Sequence, residues 1–304
     1  MNRKNYLLGI SIGYSKVQAV IISQSGETIS SREQVFKRGD DPVPEAVKAA
    51  GNLLKEKGDG ADITAAGVAF PGLVDSRKGI VLSSLYFPEF HNRPVAEEFE
   101  TALGLRIPFH VEKAAECSLM YWRKVLSEDE HPDAFLISLD PGVSAAVYSD
   151  DLEYDEETDS LSELGHIAVT GNTLPCICGK KGCLETLVGE AAWSREFRKI
   201  SKLPNAEKDF RKSVEHGMPE ALQLLSGSLT HLLYSASPLL DIFYPEHLLF
   251  HAPLPPSSVL VISTIMEELG FINGDPRVEL LDEYAPAYGA ALTAFTENQT
   301  FPHP

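Results

Sequence analysis

The sequence predicts an α/β chain folded as two related lobes, on three observations. Apolar, β-rich runs bounded by turn residues alternate with helical segments, which is the signature of α/β architecture. One strand–turn–strand unit occurs twice, as YLLGISIGYSKVQAVIISQSGETIS from Tyr6 to Ser30 and as AFLISLDPGVSAAVYSDD from Ala134 to Asp151. Repetition over so long a separation points to two lobes rather than to a stacked solenoid. Finally, 304 residues are enough for two domains that each bury a core.

The elements follow in order. After the first hairpin comes a helix, DPVPEAVKAAGNLLKEKG, then a strand, ADITAAGVAF, that stops at Pro71-Gly72. A strand pair runs through GLVDSRKGIVLSS, followed by a helix, RPVAEEFETALG, and a strand, RIPFHVE. The second hairpin leads into an acidic run, DDLEYDEETDSLSE, read as a solvated loop. Beyond residue 184 the pattern turns helical, with LETLVGEAAWSREFRKI and PEALQLLSGSLTHLLYSASPLL. A strand, EHLLFHAPL, and a closing helix, APAYGAALTAFTEN, complete the chain.

Composition excludes several classes of function. Acidic residues outnumber basic ones 44 to 26, for a net charge of −18, which repels phosphate backbones and argues against direct nucleic-acid binding. No apolar run is long enough to span a bilayer. The basic-then-apolar start is interrupted by Gly9, Ser11 and Gly13, runs into Lys16 and lacks a small-residue cleavage site, so it reads as a first strand of a cytoplasmic protein. Four cysteines, three of them bunched, do not make a disulfide framework.

The bunched cysteines lie in PCICGKKGCLE, ten residues after His166. His166, Cys176, Cys178 and Cys183 form the spacing H-x9-C-x-C-x4-C. Imidazole and thiolates are the ligands Zn²⁺ prefers, and four of them close a tetrahedron with no open position. Gly179 and Gly182 allow the tight turns that present three sulfurs to one ion. The alternative is a set of buried or redox-active thiols; the spacing favours a structural zinc, and closed coordination argues against a catalytic one.

The stretch ELGHIAVTGNTLPCICGKKGCLE, Glu163 to Glu185, resembles the zinc and sugar-binding signature of the ROK family (repressors, open reading frames and kinases). The resemblance extends from the first hairpin through AFPGLVD, Ala69 to Asp75, to APAYGAALTAF. It implies the two-lobed actin/hexokinase-like (ribonuclease H-like) fold, with a cleft between the lobes. It also implies an N-terminal α/β lobe over residues 1–112 and a C-terminal α/β lobe over 113–285 carrying the zinc motif, with a closing helix, about 286–304, packed back on the first lobe. In the family the E-x-G-H and C-L-E residues contact sugar hydroxyls beside the metal, so Glu163, His166 and Glu185 are implied as substrate-binding residues. Gly72 matches the P-G turn at the sugar cleft.

The phosphotransfer half departs from the family pattern. Where family kinases read V-E-N-D-A-N, this chain reads Val111-Glu-Lys-Ala-Ala-Glu116. Lys113 stands where an Asn holds the sugar, and Ala114 stands at the general base. A methyl group accepts no proton, and general base catalysis supplies ~10²–10⁴-fold. Glu112 and Glu116 are the two candidate substitutes. In the first phosphate loop, D-x-G-G-T-K becomes Ser11-Ile-Gly-Tyr-Ser-Lys16, so Ser11 replaces an acid that helps place Mg²⁺ and Tyr14 replaces a glycine. The second loop reads Asp140-Pro-Gly-Val-Ser-Ala-Ala146, and the Gly-Gly turn beside adenine becomes His251-Ala252-Pro253.

Three functional readings follow. The first is a non-catalytic ROK protein with a sugar-sensing, regulatory role, which binds a sugar or sugar phosphate between the lobes and has no use for ATP and Mg²⁺. It would resemble the effector domain of a transcriptional regulator. Its first strand starts near residue 6, so the expectation is a chain without the winged helix-turn-helix of family repressors. The second is an ATP-dependent, glucokinase-like sugar kinase with a displaced base, and the third is an interaction scaffold without ligand. Family membership also implies a homo-oligomer, a dimer or tetramer.

Overall fold

The computed structural model describes residues 4–57, 61–129, 133–140, 142–149, 161–201, 206–270 and 276–300. Most of the acidic run and Pro141 of the second loop lie outside the described residues. The chain divides into two compact units, Met1–Glu128 with Tyr284–Pro304, and Asp129–Glu283.

In the first unit a five-stranded sheet has the order β3-β2-β1-β4-β7. Its strands are β1 (Lys4–Ile12), β2 (Lys16–Ser23), β3 (Thr28–Val35), β4 (Ala61–Phe70) and β7 (Phe109–Lys113). β1 pairs antiparallel with β2 and parallel with β4, which pairs parallel with β7. Alternation sorts β1 cleanly between two cores. Leu8, Ile10 and Ile12 pack with helices α1 (Val43–Lys57) and α2 (Val95–Leu103), while Leu7 packs with α8 (Ala285–Thr300). Both faces are covered, which is why β1 and β2 read as apolar runs without polar alternation. β3, the polar edge strand TISSREQV, escaped the sequence reading because edge strands need no apolar face. A small hairpin, β5 (Leu73–Asp75) and β6 (Ile80–Ser83), follows β4.

The first unit takes Met1–Glu128 together with Tyr284–Pro304, so it includes the helix that follows β7. Helix α3 (Ala114–Tyr121) leaves β7 without a break and packs on α8. Eight residues with little amphipathic pattern gave the sequence reading no helix there.

The second unit has a four-stranded sheet in the order β11-β10-β8-β9, from β8 (Ala134–Ser138), β9 (Ser144–Tyr148), β10 (His247–His251) and β11 (Arg277–Leu280). β8 and β9 form an antiparallel hairpin, and β10 and β11 add in parallel. Helices α4 (Glu190–Ser201), α5 (Ala206–Glu215), α6 (Pro219–Phe243) and α7 (Ser258–Leu269) build its core around Phe135, Trp193, Phe197, Leu229 and Phe250. The helix expected from Leu184 begins only at Glu190. Leu184–Thr186 form a 3₁₀ turn instead, and Gly189, at φ 92°, breaks the path between them.

Each sheet therefore contains a hairpin extended by two parallel strands on the same side, and the first carries β3 besides, on the hairpin's other edge. This arrangement lines up carboxyl ends. Gly13–Ser15, Pro71-Gly72 and Lys113-Ala114 share one edge of the first sheet, and Leu139-Asp140 and His251-Ala252 share one edge of the second. Among the described residues no helix is long and apolar enough to cross a membrane.

Candidate functional site

The second unit's site is built from a 3₁₀ turn, Leu161–His166, and the loop after it. The turn lies directly against β9, with the Gly165 N–H donating to the Val143 carbonyl at 2.9 Å. The loop then folds back as a knuckle. Val169 N–H donates to Gly182 O (2.8 Å), Gly182 N–H to Leu174 O (2.9 Å) and Cys176 N–H to Lys180 O (2.9 Å). Gly179 and Gly182 adopt φ of 85° and 84°, the left-handed turns that bring the sulfurs round. Asn172 staples the base of the knuckle, donating to the Cys183 carbonyl (3.1 Å) and to Thr186 Oγ1 (2.8 Å) while its own Oδ1 accepts from Leu174 N–H (3.1 Å). Sequence reasoning missed Asn172, since no spacing rule singles it out.

The knuckle brings together the four residues expected to bind metal. One ligand atom each from His166, Cys176, Cys178 and Cys183 lie within 4.8 Å of one another. Around a tetrahedral ion at zinc bond lengths, two sulfurs sit about 3.8 Å apart, and a sulfur and a nitrogen about 3.6 Å. Cys178 and Cys183 Sγ are 3.7 Å apart, and Cys176 Sγ is 3.5 Å from His166 Nδ1. The donor set fits such an ion in both chemistry and spacing.

Two carboxylates flank this set unequally. Glu185 is 10% exposed and accepts from the Cys176 thiol at 2.8 Å, with His166 Nδ1 3.8 Å away. Glu163 is 68% exposed and faces the other ring nitrogen, Nε2, at 3.8 Å. Burial and the Glu185 carboxylate both push the Cys176 thiol up from its usual range. Cys183 is also raised, first by burial and then by the Cys178 sulfur. At Cys178 burial pushes upward, but the Lys180 N–H and the two neighbouring thiols outweigh it and hold the group below its usual value. Without metal the set thus stores protons that a bound cation has to displace.

The remaining predicted residues lie in the first unit. Ala114 opens α3 and presents only its methyl group. Glu112, near the end of β7, is part-buried with each oxygen engaged: Ser76 Oγ donates to Oε2 at 2.8 Å, Lys113 N–H donates to Oε1 at 2.7 Å, and His110 Nε2 stands 3.9 Å off. Burial pushes its carboxyl up, yet the nearby His110 ring and hydrogen bonds from Lys113 N–H and Ser76 outweigh this and leave it below the ordinary carboxylate range. Such a group is a poor base. Glu116 sits in the first turn of α3, part-buried. At Gly72 a Cβ would lie 2.5 Å from the Ser83 carbonyl, so the hairpin's own packing already demands glycine. Tyr14 is fixed in the β1–β2 turn by the edge of Tyr86 (centroids 5.5 Å) and by the Arg38 guanidinium over its ring (4.9 Å). His251, at the end of β10, is buried with Nδ1 3.2 Å from Ser138 Oγ.

Paired α/β sheets built on repeated hairpins, with a Cys₃His knuckle in the second, define a sugar-kinase-like chain. The chain belongs to the ROK family, whose sequence profile matches residues 7–269. It is 25% identical over 194 residues to a glucokinase of Thermotoga maritima, covering 63% of this chain and 60% of that one. It is 22% identical over 247 residues to the DNA-binding transcriptional repressor Mlc of Escherichia coli, covering 78% and 59%. The matched region thus spans less than two thirds of either relative's length. Among solved structures, a ROK family glucokinase from Streptomyces griseus in complex with glucose and AMPPNP superposes with a TM-score of 0.78 at 20% identity, covering 96% of this chain and 99% of that one. A ROK family transcriptional regulator homologous to E. coli Mlc superposes at 0.75 and 20% identity, covering 97% and 78%. The family relatives include both kinases and repressors.

Proposed function

We propose that this chain is a non-catalytic, sugar-responsive ROK protein of the regulator-effector type. It holds a structural zinc at His166, Cys176, Cys178 and Cys183 and binds a sugar or sugar phosphate through Glu163, His166 and Glu185. The observation that carries this reading is the state of the base position. Ala114 offers a methyl group, and the nearest substitute, Glu112, has its oxygens engaged by Ser76 and Lys113 N–H. Tyr14, stacked under Arg38, supports it further by filling a turn where bare backbone amides would have to approach phosphate.

The retained half has the chemistry a sugar needs. Carboxylates accept hydrogen bonds from hydroxyl groups, and Glu163 is open to do so. When bound, the metal would supply closure of the knuckle and a fixed ring plane for His166. With Nδ1 turned to the sulfurs, Nε2 stays free for a hydroxyl beside Glu163. Ligand occupancy then acts by differential affinity for one conformation, with no chemical step.

The second reading, an active sugar kinase, is favoured by the likeness to the Thermotoga glucokinase. It requires Glu116 to serve as base. Melting curves against hexoses, amino sugars, their phosphates and Mg-ATP separate the readings. At ~100-fold excess over Kd, the cognate sugar should raise Tm by on the order of 5 °C, with no shift from Mg-ATP and no ADP release. Sugar-dependent ADP release that Glu116→Gln abolishes would establish the kinase instead. Absence of any shift across the panel would leave a scaffold.

A further inference from the structure

The three thiols of the knuckle are not equivalent. Cys176 meets Glu185 at 2.8 Å and His166 Nδ1 at 3.5 Å besides its neighbouring thiols, while the Cys178 and Cys183 sulfurs lie 3.7 Å apart. Cys183 is buried and Cys178 is part-exposed, so an oxidant in solution reaches the pair at Cys178. Between them run Gly179, Lys180, Lys181 and Gly182. The two lysines are exposed and give the knuckle tip a positive charge that the chain as a whole, at −18, lacks. Beside Gly179 a Cβ would meet nothing within 4 Å, which leaves open space for the turn to move as the sulfurs close.

We propose that Cys178 and Cys183 form a peroxide-oxidisable pair whose conversion to a disulfide ejects the metal. In the first step the Cys178 sulfur attacks the peroxide O–O bond and takes one oxygen, giving a sulfenic acid and water from hydrogen peroxide. In the second, the Cys183 sulfur displaces that oxygen as a second water and forms the S–S bond. The two sulfurs lose two electrons, which reduce the peroxide. The cation is left with Cys176 and His166 alone, half of its tetrahedron, and departs. A dithiol reductant reverses the change by exchange. This inference rests on the metal set and is independent of which ligand the site takes.

The test uses the full chain loaded with one zinc and titrated with hydrogen peroxide. Released metal is read with a chromophoric chelator, and covalent change by intact mass and peptide mapping. The expected result is one zinc released per disulfide, a mass loss of about 2 Da, a Cys178–Cys183 crosslinked peptide, and zinc re-uptake after reduction. The Cys117→Ser chain, lacking the fully buried thiol of the first unit, should respond identically. Retention of zinc under excess peroxide overturns the inference, as does a disulfide that includes Cys176 or oxidation that stops at sulfonate without crosslinking. A chain that takes up no zinc overturns the metal assignment, and this inference with it.

Discussion

At Glu112 a carboxylate is favoured in its charged form, against the cost of its burial, by two hydrogen-bond donors and the His110 ring nearby. Its folded-state proton affinity is lowered, so the ionised group adds stability that is fully present above the range of an unfolded glutamate, about pH 4.3. That contribution disappears as pH falls through the folded value. Glu112→Gln should therefore lower Tm at pH 7 and flatten the acid limb of the Tm–pH curve. Thermal melts from about pH 3 to 7 check this, and parallel curves for the two proteins would contradict it. The sequence marked Glu112 as a stand-in base because it adjoins Ala114. It could not show that Ser76, 36 residues earlier, reaches across and donates to its Oε2. The Cys₃His set was legible at this scale, since its spacing alone singled out the four residues that the fold brings together.

At the scale of elements, the knuckle and helix α8 are each held by specific local contacts. Asn172 fixes the knuckle by three hydrogen bonds and touches none of the four metal-ligand atoms. Asn172→Ala should weaken metal retention by ~10–100-fold, as loss of supporting hydrogen bonds around a metal site commonly does. Competition with a zinc chelator measures it; unchanged retention would show that backbone pairing alone holds the loop. Helix α8 is lined with small residues, Ala287, Gly289, Ala290, Ala291 and Ala294, because β1, β4 and α3 approach it closely. At Gly289 a Cβ would fall 1.6 Å from the Cys117 carbonyl, where only backbone could give way. Gly289→Val should cost about 3 kcal/mol or more by overpacking, read as a lowered urea midpoint. The sequence identified α8 as a helix but not α3 opposite it, whose eight residues carry little periodicity.

Over the whole molecule, a net charge of −18 on 304 residues means that folding gathers like charges. Described ion pairs such as Arg93 with Asp41 and Glu98 relieve this only locally. Raising sodium chloride from about 20 to 300 mM at pH 7 should raise Tm, since screening shortens the range of the repulsion. A melting point that falls with salt would show that attractive pairs outweigh it. The same hairpin opens both sheets, and each is extended by two parallel strands, so duplication in the sequence becomes duplication in topology.

The sequence by itself determined the α/β class, the repeated hairpin and the composition of the Cys₃His knuckle. All three rest on patterns within short stretches of chain, where alternation and ligand spacing act directly. Tertiary structure alone decided that α3 belongs with the first unit, that Glu112 accepts from Ser76 and that Tyr14 meets Arg38 and Tyr86. It also decided that the Cys178 and Cys183 sulfurs come within 3.7 Å and that the Cys176 thiol donates to Glu185. Which groups meet across a fold depends on packing between distant segments, and spacing along the chain carries no record of it.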